Sequence, residues 1–387
     1  MAGVRDLALP LRDPADLDPL LGRVGDARVV AIGEASDGTH EYHAWRAALT
    51  RRLVTERGFG FVAVEGDWPD CQRVDRSVKL RDGADADPRD ALDAFARWPT
   101  WMWANEDVVE FCRWLRDVNA ERADDERVGF YGLDVYSLWD SVHEFVGWLR
   151  ENEPDHADAA IRALRCFEPF GEDGAEYAFV SRFAPSSCEQ AVVDLLQGSA
   201  ESWNVRDVHM ADVLDRLLGR AGDKAVVWEH NTHVGDARAT DMADAGMTNV
   251  GQLLRERHGA DDVVLVGFGG YRGGVVAGSG WGAQMERMPV PEARGGSLEA
   301  VLHEELGHDA LLVWQPGGAR SPALDRRLDH RAIGVVYRPE RERWGNYVPT
   351  VLGERYDAFL YLEDTTPLQP LHLERPDEHV PPLAHVV

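Results

Sequence analysis

Eight short, nearly unbroken apolar runs constrain this chain more than any other feature. They are "ARVVAIGE" (27–34), "FGFVAVEG" (59–66), "RVGFYGLD" (127–134), "KAVVWEH" (224–230), "DVVLVGFG" (262–269), "DALLVW" (309–314), "RAIGVVY" (331–337) and "DAFLYLED" (357–364). They are rich in β-branched residues and do not alternate polar with apolar, as expected of strands covered on both faces. Helical stretches separate the early runs. In "HEYHAWRAALTRRLVTERG" (40–58), Tyr42, Trp45, Ala48, Leu49 and Leu53 recur at three- and four-residue spacing before a stop at Gly58. Strand alternating with helix predicts an α/β fold with a largely parallel central sheet flanked by helices.

Residues 138–219 contain no comparable run and read as helices, among them "SLWDSVHEFVGWLREN", "HADAAIRALRCF", "CEQAVVDLLQGSAESW" and "RDVHMADVLDRLLGR". The expected organisation is an α/β core over 25–137 and 220–365, interrupted by an all-helical subdomain over 138–219. A short N-terminal segment (1–24) precedes it. A Pro-rich tail (366–387), expected to be irregular and superficial, follows.

Composition narrows the function. A net charge of −27 over 387 residues disfavours nucleic-acid and anionic-membrane partners, which require basic surface. No apolar stretch approaches the roughly 20 residues that span a bilayer, and the first residues lack a signal-peptide pattern; a cytoplasmic location is expected. Lys occurs only at Lys79 and Lys224 among 41 basic residues, against 68 acidic ones. This balance reads as adaptation to a salt-rich cytoplasm, with Arg-favouring codon usage as the alternative. Cys71, Cys112, Cys166 and Cys188 show no metal-ligand or redox spacing and read as reduced core residues.

Four of the predicted strands end in an ionisable group: Glu34, Glu65, Asp134 and His230, with His233 just beyond in "EHNTH". Parallel strands bring their carboxyl ends to one edge, where open α/β sheets bind ligands. Other chemistries lack their signatures: there is no G-x-S-x-G elbow, phosphate loop or H-E-x-x-H helix. "GFGGYRGG" (267–274) has the wrong spacing for a dinucleotide site and reads as a loop that lets backbone approach closely. Carboxylate and imidazole chemistry remains, with Arg46 as a planar donor fork for an oxyanion.

The chain resembles the erythromycin esterase family through "GEASDGTHEYHAWRAALTRRLV", "VAVEGDWPD", "WPTWMWANEDVVEFCRWLR", "FYGLDVYSL", "WNVRDVHMADVL", "VVWEHNTHVGDAR", "NVGQLLRERHG" and "RAIGVVYRPERERWGNYV". The resemblance implies an α/β core with a helical insertion. It also implies hydrolysis of an ester or lactone by activated water, without a covalent intermediate and without metal or cofactor. It places functional positions on Glu34, Arg46, Glu65, His230 and His233. Where the family pattern reads Gly-Glu-Ala-Ser-His-Gly-Thr, this chain carries Asp37 in place of the His, a candidate base of the family.

Individual residues have competing readings. Asp37 is read as a helix N-cap or as a carboxylate sharing a proton with Glu34. His40 and His43 lie near the site or on the first helical turn, and Asp134 orients a neighbouring His or Arg. Trp101 and Trp103, with Trp98, form either core or a flat wall for substrate. The leading expectation is a hydrolase with His230 or His233 as base, Glu34 and Glu65 orienting it, and Arg46 on the oxyanion. Its alternatives are a binding or biosynthetic accessory protein that kept the fold, motivated by Asp37, and a metal-dependent hydrolase using the two imidazoles and two carboxylates.

Overall fold

The structure is a computed structural model that describes residues 3–134, 200–314 and 321–372. Its strands are β1 (Ala8–Pro10), β2 (Val29–Ile32), β3 (Phe61–Asp67), β4 (Gly129–Asp134), β5 (Ala225–Trp228), β6 (Val263–Gly278), β7 (Met285–Val290), β8 (Ala310–Val313), β9 (Leu328–Arg331), β10 (Tyr347–Thr350) and β11 (Ala358–Asp364). The helices that matter here are α1 (His40–Glu56), α2 (Trp68–Val78), α3 (Glu106–Ala120), α4 (Ala200–Leu217), α5 (Asn231–Val234), α6 (Val250–His258) and α7 (Leu298–Glu305).

A nine-stranded sheet runs β1-β8-β11-β6-β2-β5-β3-β4, with β7 paired to β6 off the main path. The six strands from β11 to β4 are parallel to their neighbours, and β1 and β8 close one side antiparallel. The apolar runs explain this placement. In β2, Val30 and Ile32 enter a core with Leu49 and Leu53 of α1, Val74 of α2 and Phe111 of α3. Val29 and Ala31 enter the opposite core with Met210 and Leu214 of α4, Leu254 of α6 and Leu298 of α7. Both faces are dry, so neither can be polar.

Four expectations need correction. "RAIGVVY" is not a strand: β9 lies earlier, over Leu328–Arg331, and pairs antiparallel with β10 in a separate two-stranded sheet. Ile333 and Val336 make only isolated bridges, to Ser36 and Gly278. "GFGGYRGG" is the interior of β6 rather than a loop, although close approach holds. A Cβ at Gly270 would lie 2.7 Å from the Tyr42 hydroxyl, and one at Gly273 2.0 Å from the Thr365 carbonyl oxygen. The N-terminal segment contributes an edge strand, β1. The start of the tail is irregular but not superficial: Leu368 is fully buried, and Thr366, Leu368 and Gln369 exchange backbone hydrogen bonds with His40, Gly38 and Glu106. Of the expected helical insertion, only α4 falls within the described residues.

Candidate active site

Glu34 lies two residues beyond β2, Glu65 near the end of β3, Asp134 closes β4, and His230 lies two residues beyond β5. Since β2, β5, β3 and β4 are parallel neighbours, the four side chains meet at one edge, and all are buried. Local features set their aim. The β3–β4 register shifts between Val64 and Asp67, and such an irregularity re-aims the side chain it carries, here Glu65. Gly33 leaves room for Asn231, whose Oδ1 would lie 2.1 Å from a Cβ there. The Asn231 N–H donates to the Glu34 carbonyl at 2.8 Å, clasping the β2 and β5 loops together.

One half of the site is fully paired. Arg206, from α4, donates through Nε to Asp134 Oδ2 at 2.8 Å and through Nη2 to Glu65 Oε1 at 2.6 Å. Glu65 Oε2 accepts the His230 backbone N–H at 3.0 Å. His233 Nδ1 lies 2.9 and 3.0 Å from the two Asp207 oxygens, its Nε2 lies 3.3 Å from Glu65 Oε1, and its ring stacks on Trp203 at 4.4 Å. Arg206 Nη1, which can only donate, is also 3.2 Å from His233 Nε2. Burial opposes charge on both His233 and Glu65. The Asp207 and Glu65 carboxylates nevertheless hold His233 well above the usual imidazole range, and His233 and Arg206 hold Glu65 well below the carboxylate range.

The other half is sparsely paired. Arg46 is fully buried and donates through Nε to the Gly33 carbonyl at 2.8 Å and through Nη2 to the Glu229 carbonyl, leaving Nη1 at 2.9 Å from Glu34 Oε2. Two arms of its guanidinium are thus held by backbone carbonyls, while Nη1 faces Glu34 without making a hydrogen bond. Burial, with Glu65 adding to it, raises Glu34 to about 7 despite Arg46. Asp37 is not the helix cap: Thr39 holds the N-cap position of α1. Asp37 instead is buried with Oδ1 lacking a hydrogen-bond partner, and burial together with Glu34 and Glu65 raises its carboxyl well above the usual range.

His43 sits beside Glu34, its Nδ1 3.6 Å from Oε2, and contacts the Thr39 and Met102 carbonyls at 3.3 and 3.2 Å. Burial and Arg46 lower it to about 4. His230 Nδ1 lies 2.8 Å from the Thr232 hydroxyl and accepts the Thr232 backbone N–H at 3.3 Å, while its buried Nε2 has no partner; burial lowers it to about 3. His40 is not brought into the cluster: it is half-exposed and paired with Asp107 at 2.8 Å. Trp103 donates to the Glu65 carbonyl at 3.0 Å and meets the His43 ring edge-on. Trp101 is fully buried against Trp98 and belongs to the core.

Sequence reasoning missed Trp203, Arg206 and Asp207, whose i, i+3, i+4 spacing in "WNVRDVH" places them on one helical face. It also missed Glu229, whose side-chain oxygens are buried without a partner and which burial raises to about 8. Among the described residues, no group of three or more His, Cys, Asp or Glu side chains is arranged to hold a metal ion. His230 Nδ1 is turned to Thr232, and His233 is spent between two carboxylates. Extended residues 332–337 pass alongside, with Gly334 against Asp37, and lead to an open cleft of about 340 Å³ over Ser279, Met288, Tyr337 and Arg338.

A buried polar cluster at the carboxyl edge of a mostly parallel sheet flanked by helices defines an α/β protein. The family model of erythromycin esterase matches residues 54–199 and 196–365, and the chain belongs to that family. Glu65, Asp134, His230 and His233 lie within the matched residues; Glu34, Asp37 and Arg46 precede them. Erythromycin esterase type II of Escherichia coli is 29% identical over 120 residues, which span 31% of this chain and 26% of that protein. The fold is shared with a succinoglycan biosynthesis protein (TM-score 0.75, 21% identity, 96% of this chain and 97% of the other). A Bacillus cereus protein also shares it (TM-score 0.73, 18% identity, 94% and 96%), as does a mutant of the erythromycin esterase EreC in its open conformation (TM-score 0.60, 16% identity, 94% and 97%).

Proposed function

We propose that this protein hydrolyses an ester or lactone of a small molecule, using water activated in the carboxyl-edge crevice. The observation that carries the reading is the set of polar atoms left buried without partners there, Asp37 Oδ1 and His230 Nε2, beside a Glu34 carboxyl raised to about 7 chiefly by burial. Folded proteins pair such groups unless a ligand or reaction uses them. Membership of the erythromycin esterase family supports the hydrolytic class. The reading calls for no metal or cofactor, and the cleft over Ser279 and Tyr337 offers room for the body of a substrate. A charge of −27 speaks against a nucleic-acid partner, and among the described residues no helix is long and apolar enough to cross a membrane.

A panel of aryl, alkyl and macrocyclic esters and lactones, assayed at high and low salt, tests the proposal. Turnover lost in Glu34→Gln is expected, and absence of turnover on every member would contradict it. Asp37 favours a second reading, a binding or biosynthetic accessory protein without hydrolysis. Asp37→His separates the two: activity appearing only in that variant identifies a lapsed hydrolase.

A further inference from the structure

Resting on the hydrolytic reading, we infer that Asn231, held by a His330–Glu299 pair, is the positioning residue that sets Glu34 and His230 relative to one another. Asn231 is the middle residue of "EHNTH", directly follows His230 and is fully buried. Every hydrogen-bonding atom it has is used. Its backbone N–H donates to the Glu34 carbonyl at 2.8 Å. Its carbonyl accepts the Gly235 N–H at 3.0 Å and Arg355 Nη2 at 3.0 Å. Its Nδ2 donates to the Phe268 carbonyl at 2.7 Å, and its Oδ1 accepts the Phe268 N–H at 3.2 Å.

Both backbone groups of Phe268, in β6, thus grip one amide. A carbonyl only accepts and an N–H only donates, so the amide has a single orientation. Its Nδ2 also lies 3.2 Å from His330 Nε2, and that ring nitrogen must be the acceptor. A neutral imidazole carries one proton, which therefore sits on Nδ1 and is donated to Glu299 Oε1 at 2.6 Å. Glu299 Oε1 is fixed in turn by the Arg331 backbone N–H at 2.9 Å. His330 and Glu299 are both fully buried. Asn231 from α5 and Glu299 from α7 face the two ring nitrogens, Tyr356 and Phe359 meet the ring edge-on, and Arg355 and Arg331 are the cations nearby. Burial keeps His330 below the ordinary imidazole range despite Glu299.

The relay ends on the two loops of the site. Gly33 precedes Glu34, and a Cβ there would lie 2.1 Å from Asn231 Oδ1, so the gripped amide limits how closely the loop after β2 approaches the loop after β5. From α1, Arg46 donates to the Gly33 and Glu229 carbonyls and spans the same two loops. Clamped twice, the backbone holds the Glu34 carboxyl and the unpartnered His230 Nε2 at a set separation. Reacting groups displaced by about 1 Å lose on the order of 100-fold in rate. Glu299 and His330 act through Asn231.

Imidazole nitrogen NMR of the intact protein tests this without a substrate. His330 is expected as the neutral Nδ1–H form throughout pH 5 to 8. A charged ring, or a proton on Nε2, overturns the relay even where no variant folds. His330→Asn keeps a donor for Glu299 but loses the acceptor for Asn231, and it should shift the His230 and His233 resonances. His330→Gln returns an acceptor near the Nε2 position and should restore them. In ester hydrolysis, His330→Asn is expected to lower kcat about 10- to 100-fold with KM little changed, and His330→Gln to recover most of the loss. Unmoved resonances and wild-type kcat in a folded His330→Asn overturn the positioning role while leaving the hydrolytic reading intact. Absence of ester turnover by the wild type removes that reading and the catalytic role of the relay with it.

Discussion

The two halves of the carboxyl-edge cluster are oppositely furnished. Around Arg206, the carboxylates of Glu65 and Asp134 share one guanidinium, and Asp207 and Glu65 share one imidazole. Around Glu34, the one cation, Arg46, is largely spent on backbone carbonyls, and Asp37 and His230 keep atoms without partners. Paired charges in a dry site fix geometry, whereas unpaired ones retain the capacity to accept or give a proton. On the proposed function, the paired half serves as scaffold and the sparse half carries the chemistry. Asn231 joins the two loops. It donates to the Phe268 carbonyl at 2.7 Å and lies 3.2 Å from His330 Nε2, and His330 Nδ1 in turn meets Glu299 at 2.6 Å.

That division can be broken in several ways. The largest effect expected is on catalysis: Glu34→Gln or Asp37→Asn should cost ~10²- to 10⁴-fold in kcat while thermal melts stay close to wild type. A variant that unfolds instead would move these residues into the scaffold. Next comes Arg206→Ala, which leaves Glu65 and Asp134 buried without their guanidinium. Denaturant titration should show a loss of about 3–5 kcal/mol, and a loss below about 1 kcal/mol would deny the paired half its structural role.

Glu229 sharpens the comparison from beneath. Its folded-state value, about 8, exceeds the ordinary 4.5, so the folded protein holds a proton there that the unfolded chain releases. Its ionisation therefore costs stability progressively as pH rises from about 4.5 to about 8. Glu229→Gln should stabilise the protein by an amount on the order of a few kcal/mol above pH 8, with the gain vanishing near pH 4. Melts across that range check both the sign and the window. Salt gives the smallest effect. If the acidic, Lys-poor surface is adapted to high salt, the melting temperature rises between 0.1 and about 2 M KCl as the Debye length falls from about 10 Å to under 3 Å. A flat response would favour codon usage as the source of the Arg excess.

Much of this was legible in the sequence because position in a parallel sheet is a one-dimensional property. Glu34, Glu65, Asp134 and His230 follow apolar runs, and the runs specify neighbouring strands whose ends must coincide. The strands that escaped reading are short or polar. β7 buries only Met285, Met288 and Val290, β1 ends on a proline at the sheet's edge, and "LDHR" and "YVPT" contain few apolar side chains. Arg206 and Asp207 escaped because they arrive on α4, whose placement depends on packing against β4 and α6 rather than on a strand end. The roles of the histidines escaped for a different reason. Spacing makes His230 and His233 equivalent, yet one meets Thr232 and the other Asp207, Glu65 and Arg206, and only three-dimensional contacts show that.

Single-turnover hydrolysis in ¹⁸O-labelled water tests the central claim most directly. Direct attack by activated water predicts one ¹⁸O in the product acid in the first turnover and none in the carboxyl groups of Glu34 or Asp37. Unlabelled acid in the first turnover, with ¹⁸O appearing in Glu34 or Asp37, would show a carboxylate attacking the ester itself and would contradict the account.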